Sequence, residues 1–232
     1  MVSVVIPAFD EVETIGASVD AALHHPQVDE VLVIDDGSSD GTGAAAERAG
    51  ARVIRLEPNR GKAAAMDAGV RAARRDVILF LDADVVGHTD STLTRIMRPV
   101  LDGRHEMFVG IHTRRTLWLN RILHFFPIIS GERAITRRLW DAVPPVHKNG
   151  FQIEIAMNHT AKQFQRSMGH ALIRGTRHHT KEQKYGFWVG HWRRQRMMAE
   201  IVAISFRLYV VGTLVRAGAH LRDLVRRHAQ TS

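Results

Sequence analysis

The sequence predicts an α/β fold, a mainly parallel β-sheet flanked by helices, followed by a C-terminal amphipathic helical segment. Short apolar, β-branched runs alternate with helical periodicity through about the first hundred residues, which is typical of βαβ units. A polar cluster follows each of the first four runs, at the place where open parallel sheets bind ligands. The hydrophobic content of 45% and the charged content of 24% exclude a disordered chain.

Apolar spacing places the elements of the first half. The run 2–8 is apolar and β-branched, as expected of a buried parallel strand. Asp10 is predicted to begin the first helix, with Glu13 as its capping-box partner and an apolar face that ends at Leu23. Further strands are predicted at 30–34, 51–56 and 76–81, and further helices at 43–49, 62–73 and 89–101.

The second half shows a weaker pattern. Strands are predicted at 106–111, 130–136 and 171–174, helices at 137–142 and 153–164, and a polar loop at 175–185. From residue 188 onward the apolar spacing is helical again.

Composition narrows the classes of function. The chain has 232 residues, a formal net charge of +8 and no cysteine. The absence of cysteine excludes a disulfide framework, a Cys-ligated zinc site and a thiol nucleophile. The positive charge points to an anionic partner, which is a nucleic acid, a nucleotide substrate or an anionic lipid surface. The N-terminus lacks the features of a secretory signal, and no run of ~20 apolar residues predicts a spanning helix.

Asp82 and Asp84 form the strongest local signal. They follow the apolar run 76–81, and residues i and i+2 of an extended chain point to the same side. Two converging carboxylates suit a hard cation such as Mg²⁺ or Mn²⁺, which in turn neutralises a diphosphate. An isolated pair of this spacing is usually two solvated acids, but the position at a strand end favours a metal site.

Two further clusters lie at strand ends. Asp35 and Asp36 are placed to accept hydrogen bonds from a ribose or a base; the alternative is an Asx-turn, with Asp40 as a helix cap. The run 59–62, Asn-Arg-Gly-Lys, offers a glycine for close backbone approach and two cations for phosphate oxygens, with Lys62 at the helix start. Neither a P-loop nor a GxGxxG motif is present, which disfavours a dinucleotide oxidoreductase.

Four motifs in this order resemble the family 2 glycosyltransferases of GT-A fold, over residues 1–86. They are Val2-Ser3-Val4-Val5-Ile6-Pro7-Ala8-Phe9-Asp10-Glu11, Val33-Ile34-Asp35-Asp36-Gly37-Ser38-Ser39-Asp40-Gly41-Thr42, Asn59-Arg60-Gly61-Lys62 and Phe80-Leu81-Asp82-Ala83-Asp84. The resemblance implies a nucleotide-diphospho-sugar donor of the UDP or GDP class, Mg²⁺ or Mn²⁺ as cofactor, and no nucleic acid. Asp84 would be a metal ligand and a catalytic residue, and Asp82 would be a second metal ligand. The candidate donor-binding residues are Pro7, Ala8, Phe9, Glu11, Asp35, Asp36, Lys62, Asp82, Ala83 and Asp84.

Three features of the second half extend the resemblance. The segment Ser130-Gly131-Glu132-Arg133-Ala134 is similar to the acceptor-side segment of polyprenyl-phosphate sugar transferases, which makes Arg133 a candidate catalytic and acceptor-binding residue. Glu154 resembles an acid near the acceptor in many members; alternatively it is a helix-N-terminal acid stabilised by the macrodipole. His178 resembles the late histidine that completes the metal shell in several GT-A enzymes, with the adjacent His179 as the alternative.

The sequence predicts one catalytic domain followed by a C-terminal tail. A GT-A catalytic domain is predicted at 1–187, with a nucleotide-sugar half at 1–102 and an acceptor half at 103–187. Residues 188–232 are predicted to form a basic helical tail, apolar nearly all round, which contacts an anionic membrane surface or a second subunit of a homo-oligomer. We therefore expect a cytoplasmic protein, peripheral at the inner face of the membrane.

Three hypotheses of function remain. The first is a metal-dependent, inverting glycosyltransferase whose acceptor is a polyprenyl phosphate, bound by Arg114, Arg115, Arg133 and Arg137. The second keeps the donor but uses a soluble hydroxyl acceptor, such as a sugar or phosphoglycerate, with Glu154 as general base; Arg60-Gly61-Lys62 followed by Ala65-Met66 is similar to glucosyl-phosphoglycerate synthases. The third is a non-catalytic basic binding protein, which no nucleic-acid-binding signature supports.

Overall fold

The computed structural model describes residues 1–112, 130–150, 152–166 and 168–178. The described strands are β1 Val2–Ala8, β2 Val28–Asp35, β3 Arg52–Arg55, β4 Val77–Phe80, β5 Val85–Val86, β6 Met107–Ile111, β7 Arg133–Thr136, β8 Met168–Leu172 and β9 Arg177–His178. The described helices are α1 Ile15–Leu23, α2 Thr42–Arg48, α3 Lys62–Ala72, α4 Asp90–Leu101, α5 Arg137–Ala142 and α6 Gln152–Ala161, with a short 3-10 helix at Pro145–His147.

Seven of the strands form one sheet in the order β3-β2-β1-β4-β7-β6-β8. Strands β1 to β4 are parallel, as the βαβ pattern predicts. Strand β7 is antiparallel to both β4 and β6, and β8 is parallel to β6. Because β7 lies between β4 and β6, the predicted donor and acceptor halves share one continuous sheet, and the predicted mainly parallel α/β fold is confirmed.

Helices cover both faces of the sheet, since successive strand residues point to opposite sides. Val5 on β1 faces one apolar cluster, which α3, α5 and α6 complete. Val4 and Ile6 face the other, which α1, α2 and α4 complete. Helix α3 lies especially close to the sheet, because a Cβ on Gly69 would be 2.3 Å from Val5 Cγ1. This close packing sets the distance between α3 and the sheet. Lys62 is the first residue of α3.

The predicted start of the first helix is wrong. Helix α1 begins at Ile15 with Thr14 as its N-cap residue, and neither Asp10 nor Glu13 forms the predicted capping box. Asp10 instead has a φ of 53°, a left-handed conformation that Asp and Asn tolerate better than most residues. Leu23, predicted to be inward-facing, is 39% exposed.

Boundaries in the second half also differ from the prediction. Strand β7 begins at Arg133, three residues later than predicted, and helix α6 ends at Ala161 instead of residue 164. Strand β8 covers Met168–Leu172, whereas the sequence predicts 171–174. The predicted helical tail at 188–232 lies outside the described residues. Within the described ranges, no helix is both long enough and apolar enough to cross a membrane.

Candidate active site

The loops that follow β1 and β2 are joined by hydrogen bonds. The backbone N–H of Asp10 donates to Ser38 Oγ at 3.0 Å, and that of Glu11 donates to Thr42 Oγ1 at 2.8 Å. The Asp10 side chain accepts in return, because its Oδ1 receives the N–H of Ser39 at 2.9 Å. The two loops therefore form one rim at the carboxyl ends of the parallel strands, where sheets of this kind bind ligands.

Asp35 and Asp40 shape the loop between β2 and α2. Asp35 is fully buried; its Oδ1 accepts the N–H of Ser38 at 2.8 Å, and its Oδ2 lies 3.4 Å from Arg55 Nη1. Asp40 caps the first turn of α2 by accepting the N–H of Thr42 at 2.9 Å, although the N-cap position itself is Gly41. Both acids serve the turn, and a contact between Asp35 and a nucleoside stays a prediction.

Asp36 joins the end of β2 to the turn that precedes α3. Its Oδ1 and Oδ2 accept the backbone N–H groups of Arg60 and Gly61, at 2.8 and 2.7 Å. The carboxylate thus fixes the entry to α3, where Gly61 has a φ of 87° that most other residues would adopt only under strain. Lys62 begins α3 directly after this turn.

Lys62 lies between two carboxylates from distant parts of the chain. Its Nζ is 3.0 Å from Asp82 Oδ1 and 3.0 Å from Glu154 Oε1. Burial alone would lower the pKa of Lys62, but the charges of Asp82 and Glu154 outweigh it and raise that pKa above its usual value. The ammonium group therefore stays protonated and links the end of β4 to the first turn of α6.

Gly131 covers the Asp82 carboxylate. A Cβ at this glycine would lie 2.0 Å from Asp82 Oδ1, so no other residue fits without displacing the acid. Gly131 belongs to the predicted acceptor-side segment, and the neighbouring Ser130 Oγ donates to the carbonyl of Gly110 at 2.5 Å. The predicted donor and acceptor segments therefore meet at Asp82.

Arg133 lies beneath the site and is fully buried. Its Nε donates to the Ser130 carbonyl at 3.0 Å, its Nη1 donates to Asn158 Oδ1 at 3.2 Å, and its Nη2 lies 3.6 Å from Glu154 Oε2. Burial lowers the pKa of Arg133, and Glu154 and Asp82 oppose that effect, but a guanidinium keeps its charge in proteins. The predicted contact with an acceptor does not agree with this burial; Arg133 instead supports Ser130 and Glu154.

The prediction for Arg137 as an acceptor ligand is wrong. Thr136 pairs with Val77 at the start of β4, so the next residue lies at the edge of the sheet opposite the strand-end acids. There the Arg137 guanidinium donates to the carbonyls of Val70 and Ala73, at 2.6 and 2.7 Å, and caps the end of α3. Arg114 and Arg115, the other predicted acceptor ligands, lie outside the described residues.

The remaining predicted donor residues border the rim. Phe9 is 43% exposed, whereas Ala8, Glu11 and Ala83 are buried. Pro7 occupies the next-to-last position of β1. Phe9 therefore offers an accessible aromatic side chain at the carboxyl end of β1.

The donor set around Asp84 fits a divalent cation. Asp82 and Asp84 supply two half-buried carboxylates directly after β4, and Val85 pairs with His178 across β5 and β9. The backbone of His178 thus lies beside the residue that follows Asp84, while the placement of its imidazole lies outside the description. Carboxylate oxygens suit Mg²⁺ or Mn²⁺, and a contribution of the His178 imidazole stays a prediction. Among the side chains that the structure does describe, no three acids or histidines converge as a metal cluster.

A buried cluster beside Gly131 was not predicted. The carboxylate of Glu132 is fully buried, with Oε1 2.9 Å from His88 Nε2 and Oε2 2.8 Å from His112 Nε2. His112 Nδ1 lies 2.6 Å from Thr176 Oγ1. The sequence offers little signal for this cluster, because its members are single residues far apart in the chain; Glu132 alone lies within a motif that the sequence singled out.

Comparison with known proteins agrees with this geometry. The model of "Glycosyl transferase family 2" matches residues 3–141 of the chain. Glucosyl-3-phosphoglycerate synthase of Mycolicibacterium paratuberculosis is 37% identical over 125 residues, 50% of this chain and 38% of that protein. The synthase of the same name from Mycobacterium tuberculosis is 32% identical over 156 residues, 62% of this chain and 48% of that protein. Dodecaprenyl-phosphate galacturonate synthase of Rhizobium johnstonii is 34% identical over 93 residues, 36% of this chain and 28% of that protein.

The chain thus spans less than half the length of each of these curated relatives. Crystal structures of the Mycobacterium tuberculosis glucosyl-3-phosphoglycerate synthase have the same fold. The complex with Mn²⁺, UDP and glucosyl-3-phosphoglycerate has a TM-score of 0.73 at 21% identity, covering 89% of this chain and 78% of that one. The complex with Mg²⁺ and UDP has a TM-score of 0.72 at 21% identity, with the same coverage.

Proposed function

The chain belongs to glycosyl transferase family 2, and from this premise we propose that it transfers a sugar from a nucleotide-diphospho-sugar to a soluble acceptor. The observation that carries the donor assignment is the strand-end pair Asp82 and Asp84, with Lys62 Nζ held 3.0 Å from Asp82 Oδ1. Two acids for a cation and one fixed ammonium group are suited to a diphosphate leaving group.

Each part of the site then has a role. Asp84 and Asp82, with His178, would hold Mn²⁺ or Mg²⁺, which supplies positive charge to the leaving diphosphate. Asp36 fixes the turn before α3, and Lys62 is thereby positioned at the phosphates. The exposed ring of Phe9 lies where a base would stack beyond β1.

A soluble, phosphorylated hydroxyl acceptor has the better support. Two of the relatives described above are named glucosyl-3-phosphoglycerate synthases, and the alignments to them are longer than the alignment to the dodecaprenyl-phosphate enzyme. Solved structures of the same fold hold UDP with phosphoglycerate or its glucoside. We therefore propose 3-phosphoglycerate as the first candidate acceptor. A polyprenyl phosphate is the second candidate, because of the similarity to the dodecaprenyl-phosphate enzyme.

A transfer assay tests the proposal. The full chain is incubated with UDP-glucose and Mn²⁺, with either 3-phosphoglycerate or a polyprenyl phosphate in detergent micelles, and both UDP release and product mass are measured. We expect glucosylated phosphoglycerate to form and the lipid to remain unchanged. Transfer to the lipid alone would reverse the choice of acceptor, and no transfer or hydrolysis with UDP-, GDP- or dTDP-sugars would overturn the proposal.

The variant Asp84→Ala gives the matching test of the metal site. We expect loss of Mn²⁺-dependent nucleotide binding in calorimetry with an unchanged melting temperature, because a half-buried acid at a strand end contributes little to the core. Asp76→Ala is the control, since Asp76 is an acid at the opposite end of the same strand with a side chain 97% exposed. Unchanged Mn²⁺ dependence in Asp84→Ala would contradict the assigned role.

A further inference from the structure

We propose that Glu132 is a positioning residue that holds the metal-binding segments of the donor site in register, an inference that rests on the proposed function. Its carboxylate contacts two histidine rings from different loops. Oε1 lies 2.9 Å from His88 Nε2, and Oε2 lies 2.8 Å from His112 Nε2. His112 extends the connection through its other ring nitrogen, which lies 2.6 Å from Thr176 Oγ1. Four segments are therefore linked through one buried acid, three by direct contact and that of Thr176 through His112.

Three of these segments, those of His88, Glu132 and Thr176, adjoin a predicted metal-binding group. His88 follows β5, two residues after that strand ends, and so fixes the chain beyond Asp84. Glu132 itself follows Gly131, whose Cα faces the Asp82 carboxylate so closely that a Cβ would lie 2.0 Å from Asp82 Oδ1. Thr176 directly precedes β9, the strand that carries His178.

The strand pairing shows what the connection controls. Among the described residues, strands β5 and β9 pair at two positions, Val85 with His178 and Val86 with Arg177. His88 follows β5 and contacts Glu132, while His112 links Glu132 to Thr176 directly before β9, so the cluster braces both strands. Through this bracing, Glu132 sets the distance between the segment of Asp84 and the segment of His178.

Electrostatics support an ionised Glu132. Burial would raise the pKa of Glu132, but His112 and His88 outweigh it and hold that pKa below its usual value. A buried carboxylate without such partners would be strongly unfavourable, so the two rings and the acid require one another. Burial would lower the pKa of His112, but contact with Glu132 raises it, with a smaller contribution from the charge of Asp82.

Binding measurements on two variants test the proposal. UDP affinity is measured by calorimetry on the full chain, once with Mn²⁺ and once with EDTA, for the wild type, Glu132→Gln and Thr176→Val. We expect the gain in affinity due to Mn²⁺ to fall about tenfold in Glu132→Gln and about fivefold in Thr176→Val, the size of one lost hydrogen bond. UDP affinity in EDTA should stay at the wild-type value.

Thr94→Val is the matched control. Thr94 makes the same kind of contact, 2.8 Å from His25 Nε2, but it joins α4 to the loop before β2, away from the strand-end acids. We expect this variant to keep the full Mn²⁺ effect while its melting temperature falls as much as that of Thr176→Val.

The outcomes separate the two proposals. A wild type without any Mn²⁺-dependent gain overturns the proposed function and this inference with it. A wild type with the gain, together with variants that lose UDP affinity equally in Mn²⁺ and EDTA, shows that the cluster only stabilises the fold and overturns this inference alone. If Glu132→Gln does not fold, Thr176→Val decides, because its change lies at the half-buried end of the connection.

Discussion

Lys62 contacts one acid from each predicted half of the chain, Asp82 and Glu154. Glu154 is only 3% exposed, and its second oxygen lies 3.6 Å from Arg133 Nη2. This carboxylate is held between two cations, so it orients Lys62. It also lies in the first turn of α6, as expected of a helix-N-terminal acid, and its role as general base stays a prediction.

The ionisation of His112 and Glu132 predicts how stability depends on pH. The pKa of Glu132 is lowered from 4.5, so its contribution is present above about pH 4.5 and is lost as pH falls through the lowered value. The pKa of His112 is raised from 6.5 because contact with Glu132 outweighs burial, so its contribution is complete below pH 6.5 and is lost as pH rises through the raised value. The pair therefore stabilises the fold most between these limits.

Urea unfolding of the wild type and of His112→Gln between about pH 6 and pH 9 checks this expectation. The difference in the free energy of unfolding should be about 1–3 kcal/mol at the lower pH, as when a buried polar group loses its partner, and should shrink as pH rises. His170→Gln replaces an exposed histidine of the same sheet and is the control. A difference that stays constant across this range would contradict the ionised pair.

At the scale of the elements, the sequence predicts β1 to β4 within three residues at each boundary, because their apolar runs are bounded by turn residues. The start of α1 is missed because the side chain of Asp10 bonds to Ser39, a residue of another loop. Strand β8 is missed in part because Gly169 and His170 lack the apolar pattern, and pairing with β6 alone makes them a strand. Local propensity fails where a tertiary contact decides the conformation.

The close packing of helix α3 on the sheet predicts that a larger residue at Gly69 destabilises the fold. The variant Gly69→Ala adds a Cβ 2.3 Å from Val5 Cγ1 and 3.2 Å from Ile34 Cγ1, so the helix must move away from the sheet. Overpacking costs about 1–3 kcal/mol and the better helix propensity of Ala returns up to about 1, so we expect a net loss of about 1–2 kcal/mol. Because Lys62 begins this helix, affinity for UDP should fall as well.

Gly16→Ala is the matched control for that variant. Gly16 lies in α1, and a Cβ there has no atom within 4 Å among the described residues. We expect its free energy of unfolding, measured in urea, to stay equal or to rise by up to about 1 kcal/mol. Equal stability of Gly69→Ala and the wild type would show that α3 shifts without cost. The packing of α3 would then not set the position of Lys62 relative to the sheet.

At the scale of the whole molecule, the sequence predicts which edge of the sheet carries the site but not how its residues meet. The strand-end acids follow from the βαβ rule, since carboxyl ends of parallel strands share one edge. The contact of Lys62 with Glu154 joins residues 92 positions apart, and Glu132 gathers His88 and His112 from two other loops. Such distances depend on the antiparallel insertion of β7 between β4 and β6, which no local pattern reveals.

Most of the net positive charge of the chain lies in its C-terminal segment. Residues 188–232 carry eight arginines and two acids, so they hold six of the eight net positive charges. This tail lies outside the described residues, and its predicted contact with a membrane or a subunit stays a prediction. Its charge alone predicts attraction to anionic lipid that depends strongly on salt.

Co-sedimentation with anionic vesicles, combined with the transfer assay, checks whether this attraction serves the reaction. At about 0.01 M salt the screening length is about 30 Å and we expect the full chain to sediment with the vesicles; at about 1 M it is about 3 Å and the chain should remain in the supernatant. If the acceptor is soluble, transfer to 3-phosphoglycerate should proceed at the same rate with and without vesicles at either salt concentration. A chain that stays on the vesicles at high salt, and transfers sugar only in their presence, would show that the apolar face of the tail enters the bilayer and that the acceptor is a lipid.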